Sequence, residues 1–333
     1  MVGARYELER LRNRMRSRDE QQQRKALVGA EGWLFLRNDK NNVLGQHMGQ
    51  VRLVSRRRRA WSRLLERRMT LMRELDTTWL CLVAPDKEAV YPELLPPGMT
   101  PAPTRPVHEI LAEARRLGAP VLYPLDRLLE AKRREQPYYQ TDTHWNQFGA
   151  HAAYLLIVEE LAERGVEVPA VRDDDIRWIP ETTLGDLGRK LRPQRGGRSV
   201  RGELRTHTSK LVFDNRISNH GRMMVFESDD DRRPDCVAFG ESYANHLLLF
   251  LKESFRRLTF IHTSTVDRQL LERERPQVVL TVPLERFMLQ VPDDRDAHRK
   301  LARTVAEKRS DGRVRDGTDR FLRGIPTATA PQR

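Results

Sequence analysis

Val237-Ala238-Phe239-Gly240-Glu241-Ser242-Tyr243 decides how the rest of the chain is read. An apolar run ends in a glycine, a serine follows, and Ala244 to Phe255 then repeats apolar side chains at helical spacing. A strand whose hydrophobicity is continuous rather than alternating is covered on both faces, as in parallel sheets. A serine between such a strand and its helix stands at the sheet's carboxyl edge, where doubly wound sheets bind ligands. There its own N–H, with the helix N-terminus behind it, can stabilise a developing oxyanion. The plain alternative is that Ser242 only caps the helix.

Working outward, the same alternation recurs. Strand Leu258 to His262, helix Thr265 to Arg273 and strand Gln277 to Val282 follow. Upstream, Arg56 to Leu75 sets Trp61, Leu64, Leu65, Met69, Met72 and Leu75 on one helical face and leads into the apolar strand Thr78 to Ala84. Gly32 to Leu36 reads as a strand, Val107 to Leu117 as a helix, Pro120 to Tyr123 as a strand and Leu125 to Arg133 as a short helix. Asn146 to Glu163 reads as an amphipathic helix with Phe148, Ala152, Leu155, Leu156 and Val158 toward the core. Between Val166 and Arg233 the signals weaken to an irregular insertion with short strands, among them Lys210 to Phe213 and Arg222 to Phe226. The expected fold is α/β, a doubly wound and mostly parallel sheet. Its organisation is a basic N-terminal helix in residues 1–30, one catalytic domain over 31–291 with the insertion at about 166–233, and a charged helix and tail over 292–333.

Composition narrows the function classes. Of 333 residues 38% are hydrophobic and 32% charged, too rich in apolar side chains for a disordered chain. Two cysteines, Cys81 and Cys236, exclude a disulfide framework and a Cys-based metal site. The net charge is +13, and residues 1–75 carry +11 of it. Arginine supplies 51 of the 60 basic residues, a bias that discounts the charge as a sign of nucleic acid, and no nucleic-acid motif is present. The segments Arg5 to Arg24 and Arg52 to Arg73 still offer basic helical faces to an acidic partner such as a carrier protein; a solvated face is the plainer reading. No uncharged run is long enough to span a membrane, and the opening residues lack the apolar core of a secretory signal, so the chain reads as soluble and cytoplasmic.

A second place carries chemistry: Tyr138-Tyr139-Gln140-Thr141-Asp142-Thr143-His144-Trp145-Asn146. An Asp two residues before a His reaches Nδ1 of that ring and leaves Nε2 free to take a proton from a hydroxyl. Asp142 as a helix cap, His144 as a satisfied core histidine, and a metal site from Asp142, His144 and His151 are the alternatives; the last lacks an identifiable third segment. Together with Ser242 the loop holds the parts of an activated serine nucleophile. The Gly-x-Ser-x-Gly elbow is absent, since Asn245 and His246 follow, as are phosphate-loop and dinucleotide glycine patterns.

Thr141-Asp142-Thr143-His144-Trp145-Asn146 with Gly149, and Gly240-Glu241-Ser242-Tyr243, resemble the alginate O-acetyltransferase (AlgX/AlgJ-like) family of SGNH-hydrolase-like proteins. Glu31 to Phe35, Pro85-Asp86-Lys87 with Val90 to Glu93, Leu184-Gly185-Asp186-Leu187 and Val282 to Phe287 look like further blocks of that family, in order. The resemblance implies an SGNH-type triad with Asp and His ahead of Ser in the chain: Ser242 as nucleophile, His144 as base, Asp142 as its orienter. It implies acyl transfer to a hydroxyl of a sugar, glycoside or natural-product acceptor, with an esterase or a non-catalytic binding protein as the alternatives. Gly185 and Asn245 are candidate second oxyanion donors; Trp145, Tyr138, Tyr139 and Tyr243 are candidates to stack on a sugar ring, with packing as the plainer role of such aromatics, and Lys87 is a further candidate substrate contact. No bound cofactor is implied. Family members act outside the cytoplasm; were this chain cytoplasmic, acetyl-CoA or an acyl carrier protein would be the natural donor. Glu241 departs from the Asp or Thr more usual before the serine.

Overall fold

A computed structural model describes residues 20–313 and 325–327 of the chain. Most of the basic helix expected within residues 1–30 lies outside them. The chain enters through a small antiparallel hairpin, β1 (Ala26–Val28) and β2 (Leu34–Leu36), then a short helix α1 (Val43–His47) and the long helix α2 (Ser55–Glu74). Strand β3 (Thr78–Leu82) is followed by the single turn α3 (Lys87–Val90), helix α4 (Pro106–Leu117), strand β4 (Val121–Leu122) and helices α5 (Leu125–Lys132) and α6 (Gln147–Ala162). The insertion supplies β5 (Ile176–Thr183), β6 (Gly197–Leu204), β7 (Ser209–Asp214) and β8 (Met223–Ser228). Strand β9 (Asp235–Gly240), helix α7 (Ala244–Ser254), β10 (Arg257–His262), α8 (Arg268–Glu274), β11 (Val278–Val282) and α9 (Ala297–Ser310) complete the described chain.

The central sheet has the order β4-β3-β11-β9-β10-β8-β7. Its first five strands are mutually parallel, with β9 between β11 and β10. Each sends successive side chains into opposite cores. Leu80, Ala238, Phe260 and Leu280 face one core, which α6 and α7 cover. Trp79, Cys81, Val237, Phe239 and Val279 face the other, with Trp61, Leu64 and Leu65 of α2 and Ile110 of α4. This two-sided burial is why the strands read as unbroken apolar runs.

The insertion is more regular than its sequence suggested. β5 and β6 form an eight-residue antiparallel ribbon outside the main sheet. β7 and β8 add two antiparallel strands to the edge beside β10. Helix α6 packs the expected residues Phe148, Ala152, Leu155, Leu156 and Val158 against the core and buries a second set more deeply. It buries Phe148, Ala150, Ala153, Tyr154, Ile157 and Leu161, while Ala152, Leu155, Leu156 and Val158 are only half-buried. The helix packs between α7, α5 and β6, so apolar residues surround it and no one stripe stands out in sequence. No helix among the described residues is long and apolar enough to cross a membrane.

Candidate functional site

Strand β9 ends at the middle of the sheet. The backbone N–H of Glu241 donates to Val282 O at 3.2 Å and that of Thr263 to Gly240 O at 3.1 Å, so the turn is pinned to both neighbouring strands. A Cβ on Gly240 would stand 2.5 Å from that of Ala244. The glycine therefore lets α7 start directly behind the strand and leaves Ser242 on the rim.

The loop before α6 reaches the same place. Tyr139 N–H donates to His144 O at 3.2 Å and Asn146 N–H to Pro137 O at 3.0 Å, closing residues 139–144 into a narrow hairpin. Asn146 caps α6 by accepting from the Gly149 N–H at 3.0 Å. Within the hairpin Asp142 Oδ1 lies 2.6 Å from His144 Nδ1 and accepts from the His144 N–H at 3.1 Å. His144 Nε2 lies 2.7 Å from Ser242 Oγ, across 98 residues of sequence. The Asp142 and His144 side chains are 13% and 19% exposed, open enough for a substrate to reach. Burial alone would raise the Asp142 carboxyl. The charge and hydrogen bond of His144, with the N–H groups of His144 and Asp186, instead hold it well below the ordinary carboxylate range.

A hydroxyl, an imidazole and a carboxylate in one hydrogen-bonded line are the parts of a nucleophile, a base and its orienter. Comparison with known proteins then identifies the family. A family model described as the SGNH hydrolase-like domain of acetyltransferase AlgX matches residues 26–259. The chain belongs to this AlgX-type acetyltransferase family. Solved structures share the fold at low identity. Bacillus cereus PatB1 is 16% identical with a TM-score of 0.57, covering 80% of this chain and 99% of that one. The O-acetyltransferase domain of Pseudomonas putida AlgJ is 17% identical with a TM-score of 0.51, covering 85% and 99%. Pseudomonas aeruginosa AlgX is 13% identical with a TM-score of 0.51; the match covers 80% of this chain and 63% of that one. A search of curated proteins by sequence finds no match.

Around Asp142, His144 and Ser242 of this AlgX-type chain, several expected substrate contacts are framework instead. Trp145 and Tyr243 are fully buried and Tyr139 is 4% exposed, so none offers an open face for a sugar ring. Trp145 Nε1 donates to Tyr243 O at 2.9 Å, and the Tyr243 hydroxyl donates to Thr143 O, tying the loop twice to the turn that carries Ser242. Lys87 is also sealed: its ammonium donates to Leu34 O and Tyr139 O, each at 2.8 Å, beneath the loop that carries Asp142 and His144. Burial pushes it down to about 8 against the pull of Asp142, Glu88 and Asp186. The Gly185 N–H is taken by Thr141 Oγ1 at 3.3 Å. Asn245 remains next to the serine, its Oδ1 buried without a hydrogen-bond partner. His151 lies apart, its Nε2 2.8 Å from Val171 O. Glu241 sits beside His262, 3.4 Å from its Nε2.

Three residues enter the site's surroundings without having been singled out in the sequence: Asp186, Asp86 and Arg286. Asp186 holds the loop from one side. Arg286 donates to Asp86 Oδ1 at 2.6 Å and contacts the Tyr243 hydroxyl at 3.3 Å, bracing the turn from below. Their one signal in the sequence is membership in the short blocks around Pro85, Leu184 and Val282. Asp142, His144 and Asp186 bring their ligand atoms close together; within that group Asp142 accepts from the N–H groups of His144 and Asp186, and Asp186 from Thr143.

Proposed function

We propose that the chain is a serine-dependent O-acyltransferase, by its family an acetyltransferase, working through an acyl-serine intermediate. The observation that carries this reading is the unbroken line Asp142–His144–Ser242 at 2.6 and 2.7 Å on the rim of the sheet. Family membership supports the acetyl group and the transferase chemistry.

In the first half, Ser242 Oγ attacks the donor's carbonyl carbon while His144 Nε2 takes the hydroxyl proton. The bond from that carbon to the leaving group breaks, and the proton passes from Nε2 to the leaving group. In the second half, His144 removes the proton of an acceptor hydroxyl, whose oxygen attacks the acyl carbon. The Ser242 Oγ–carbon bond breaks and the serine recovers its proton. Asp142 fixes the tautomer and stabilises the imidazolium in both halves. The Ser242 N–H, with Asn245 as the candidate second donor, faces the developing oxyanion. A sugar or other polyhydroxylated molecule is the acceptor class this reading favours.

Family membership favours an extracytoplasmic working place over a cytoplasmic one. Arg56, Arg57, Arg58 and Arg59, exposed at the start of α2, offer a basic face to an anionic partner; an acidic carrier protein or acetyl-CoA as donor belongs only to a cytoplasmic working place.

Brief exposure to p-nitrophenyl acetate followed by intact-protein mass spectrometry tests the reading. One added acetyl group on Ser242, absent from Ser242→Ala, is expected; no adduct and no ester turnover would overturn it. Chasing the adduct with an acceptor alcohol then separates transfer from hydrolysis, since an esterase would lose the group to water at the same rate with or without acceptor.

A further inference from the structure

The turn after β5 is pressed into the catalytic hairpin although 44 residues separate them. A Cβ on Gly185 would stand 2.1 Å from Thr141 O, so only glycine admits this approach. Thr141 O accepts from Gly188 N–H at 2.9 Å and Leu187 N–H at 3.2 Å. The other strand of the ribbon grips the hairpin too: Arg198 N–H donates to Gln140 Oε1 at 2.9 Å, and Gln140 N–H to Arg198 O at 3.2 Å. At the centre is Thr143, the residue between orienter and base. Its N–H donates to Asp186 Oδ1 at 2.8 Å and its hydroxyl to Asp186 Oδ2 at 3.0 Å, while the Asp186 N–H donates to Asp142 Oδ2 at 2.8 Å. Tyr243 supplies the remaining bond, to Thr143 O. Every polar group of Thr143 is thus held, and two of the three by one carboxylate.

We infer that Asp186 is a positioning residue of the acyl-transfer reaction, clasping the Asp142-Thr143-His144 hairpin so that Nδ1 faces Asp142 and Nε2 faces Ser242. The inference rests on the triad reading above. Both acceptors of the carboxylate are spent on one residue, which fixes the backbone on either side of it. A hairpin without that clasp keeps its sequence and loses its aim, and a misplacement of about 1 Å at a reacting group costs about 100-fold in rate.

The experiment uses the full chain with p-nitrophenyl acetate as acyl donor, reading kcat and KM separately, the thermal midpoint, and the far-downfield NMR signal of the proton shared by His144 Nδ1 and Asp142. Asp186→Ala is expected to lower kcat about 100-fold with KM within about 2-fold, and to lose the downfield signal. Asp186→Asn still accepts the Thr143 N–H, and the threonine hydroxyl can turn to accept from the new amide; kcat is expected back within about 5-fold and the signal restored. Ser242→Ala is run beside them. If it retains turnover, the triad reading falls and this inference with it. If it is inactive while Asp186→Ala keeps kcat within about 3-fold, the inference alone is overturned. Should Asp186→Ala fail to fold, Asp186→Ser removes both carboxylate acceptors while keeping a small polar side chain and leaving the contact of the Thr143 hydroxyl with His144 Nδ1 at 3.3 Å in place. A loss of about 10-fold in kcat at unchanged KM then supports the inference, and no loss overturns it.

Discussion

Two histidines stand between acids at the carboxyl end of the same sheet, and their surroundings give them opposite work. His144 touches Asp142 at 2.6 Å and a serine hydroxyl at 2.7 Å, and it is 19% exposed. His47 lies 3.6 Å from Asp86 and 3.9 Å from Glu285, sealed at 1% exposure. Its acids are already matched. Glu285 accepts from Arg105 Nε at 2.8 Å and from the Tyr123 hydroxyl at 2.8 Å, and Asp86 from Arg286 at 2.6 Å. Burial lowers His47, but the charges of Glu285 and Asp86 outweigh it and raise it overall. A histidine and a carboxylate are therefore not in themselves a catalytic pair. What makes one is a path from solvent and a hydroxyl within reach of the second nitrogen. The sealed cluster serves as a brace, since Arg286 carries its charge to Tyr243, the neighbour of Ser242.

The largest expected contrast is in turnover. Ser242→Ala and His144→Ala should each lower acyl transfer by about 10⁴-fold or more without loss of fold, whereas His47→Gln should leave kcat within a few-fold. An equal loss at both histidines, with circular dichroism intact, would break the distinction. Next comes Asp142→Asn, which keeps the imidazole but lets it turn; a drop of about 10³-fold in kcat is expected from steady-state ester kinetics. On the sealed side, Arg105→Met leaves Glu285 short of a counter-charge in the interior. Denaturant unfolding should show a loss of about 3–5 kcal/mol, with turnover of the folded fraction unchanged. A fall in kcat instead would mean that the brace enters the chemistry.

The smallest effect sharpens the comparison through pH. The Asp142 carboxyl is depressed in the folded chain, so its contribution is present above the ordinary carboxylate value near about 4 and fades as pH falls below it. His47 is raised, so its contribution is full below about 6.5 and is lost as pH rises through the elevated value. The thermal-midpoint gap between wild type and Asp142→Asn should therefore narrow on acidification. The gap to His47→Gln should narrow on going alkaline. Gaps that move together would show that the two histidines share one environment after all.

How much was legible follows from distance along the chain. Strands β3, β9, β10 and β11 could be read because each buries both faces, and a short unbroken apolar run bounded by turn residues marks a strand covered in that way. Asp142 and His144 could be paired because two residues of separation bring carboxylate to ring by covalent reach alone. Ser242 was marked by the glycine before it. The main-sheet role of β7 was hidden because it is an edge strand, with Val212 and Phe213 exposed at 40% and 45%, and half-exposed strands resemble loops in composition. The apolar face of α6 was read only in part, because partners surround the helix and bury Ala150, Ala153, Tyr154, Ile157 and Leu161 as well.

The sequence by itself determined the alternation of strand and helix, the family blocks and the three residue types of the triad, since these depend on period and on neighbours a few positions apart. Only the tertiary structure decided that His144 meets a hydroxyl 98 residues away while His47 is closed in with arginines. It alone decided that Trp145, Tyr243 and Lys87 hold the site instead of lining it, and that Asp186 clasps Thr143 from 43 residues downstream. The physical reason is that burial and counter-charge belong to the packed interior. A single residue's identity fixes what it can donate or accept, while the partners and solvent it meets are set by which distant segments pack around it.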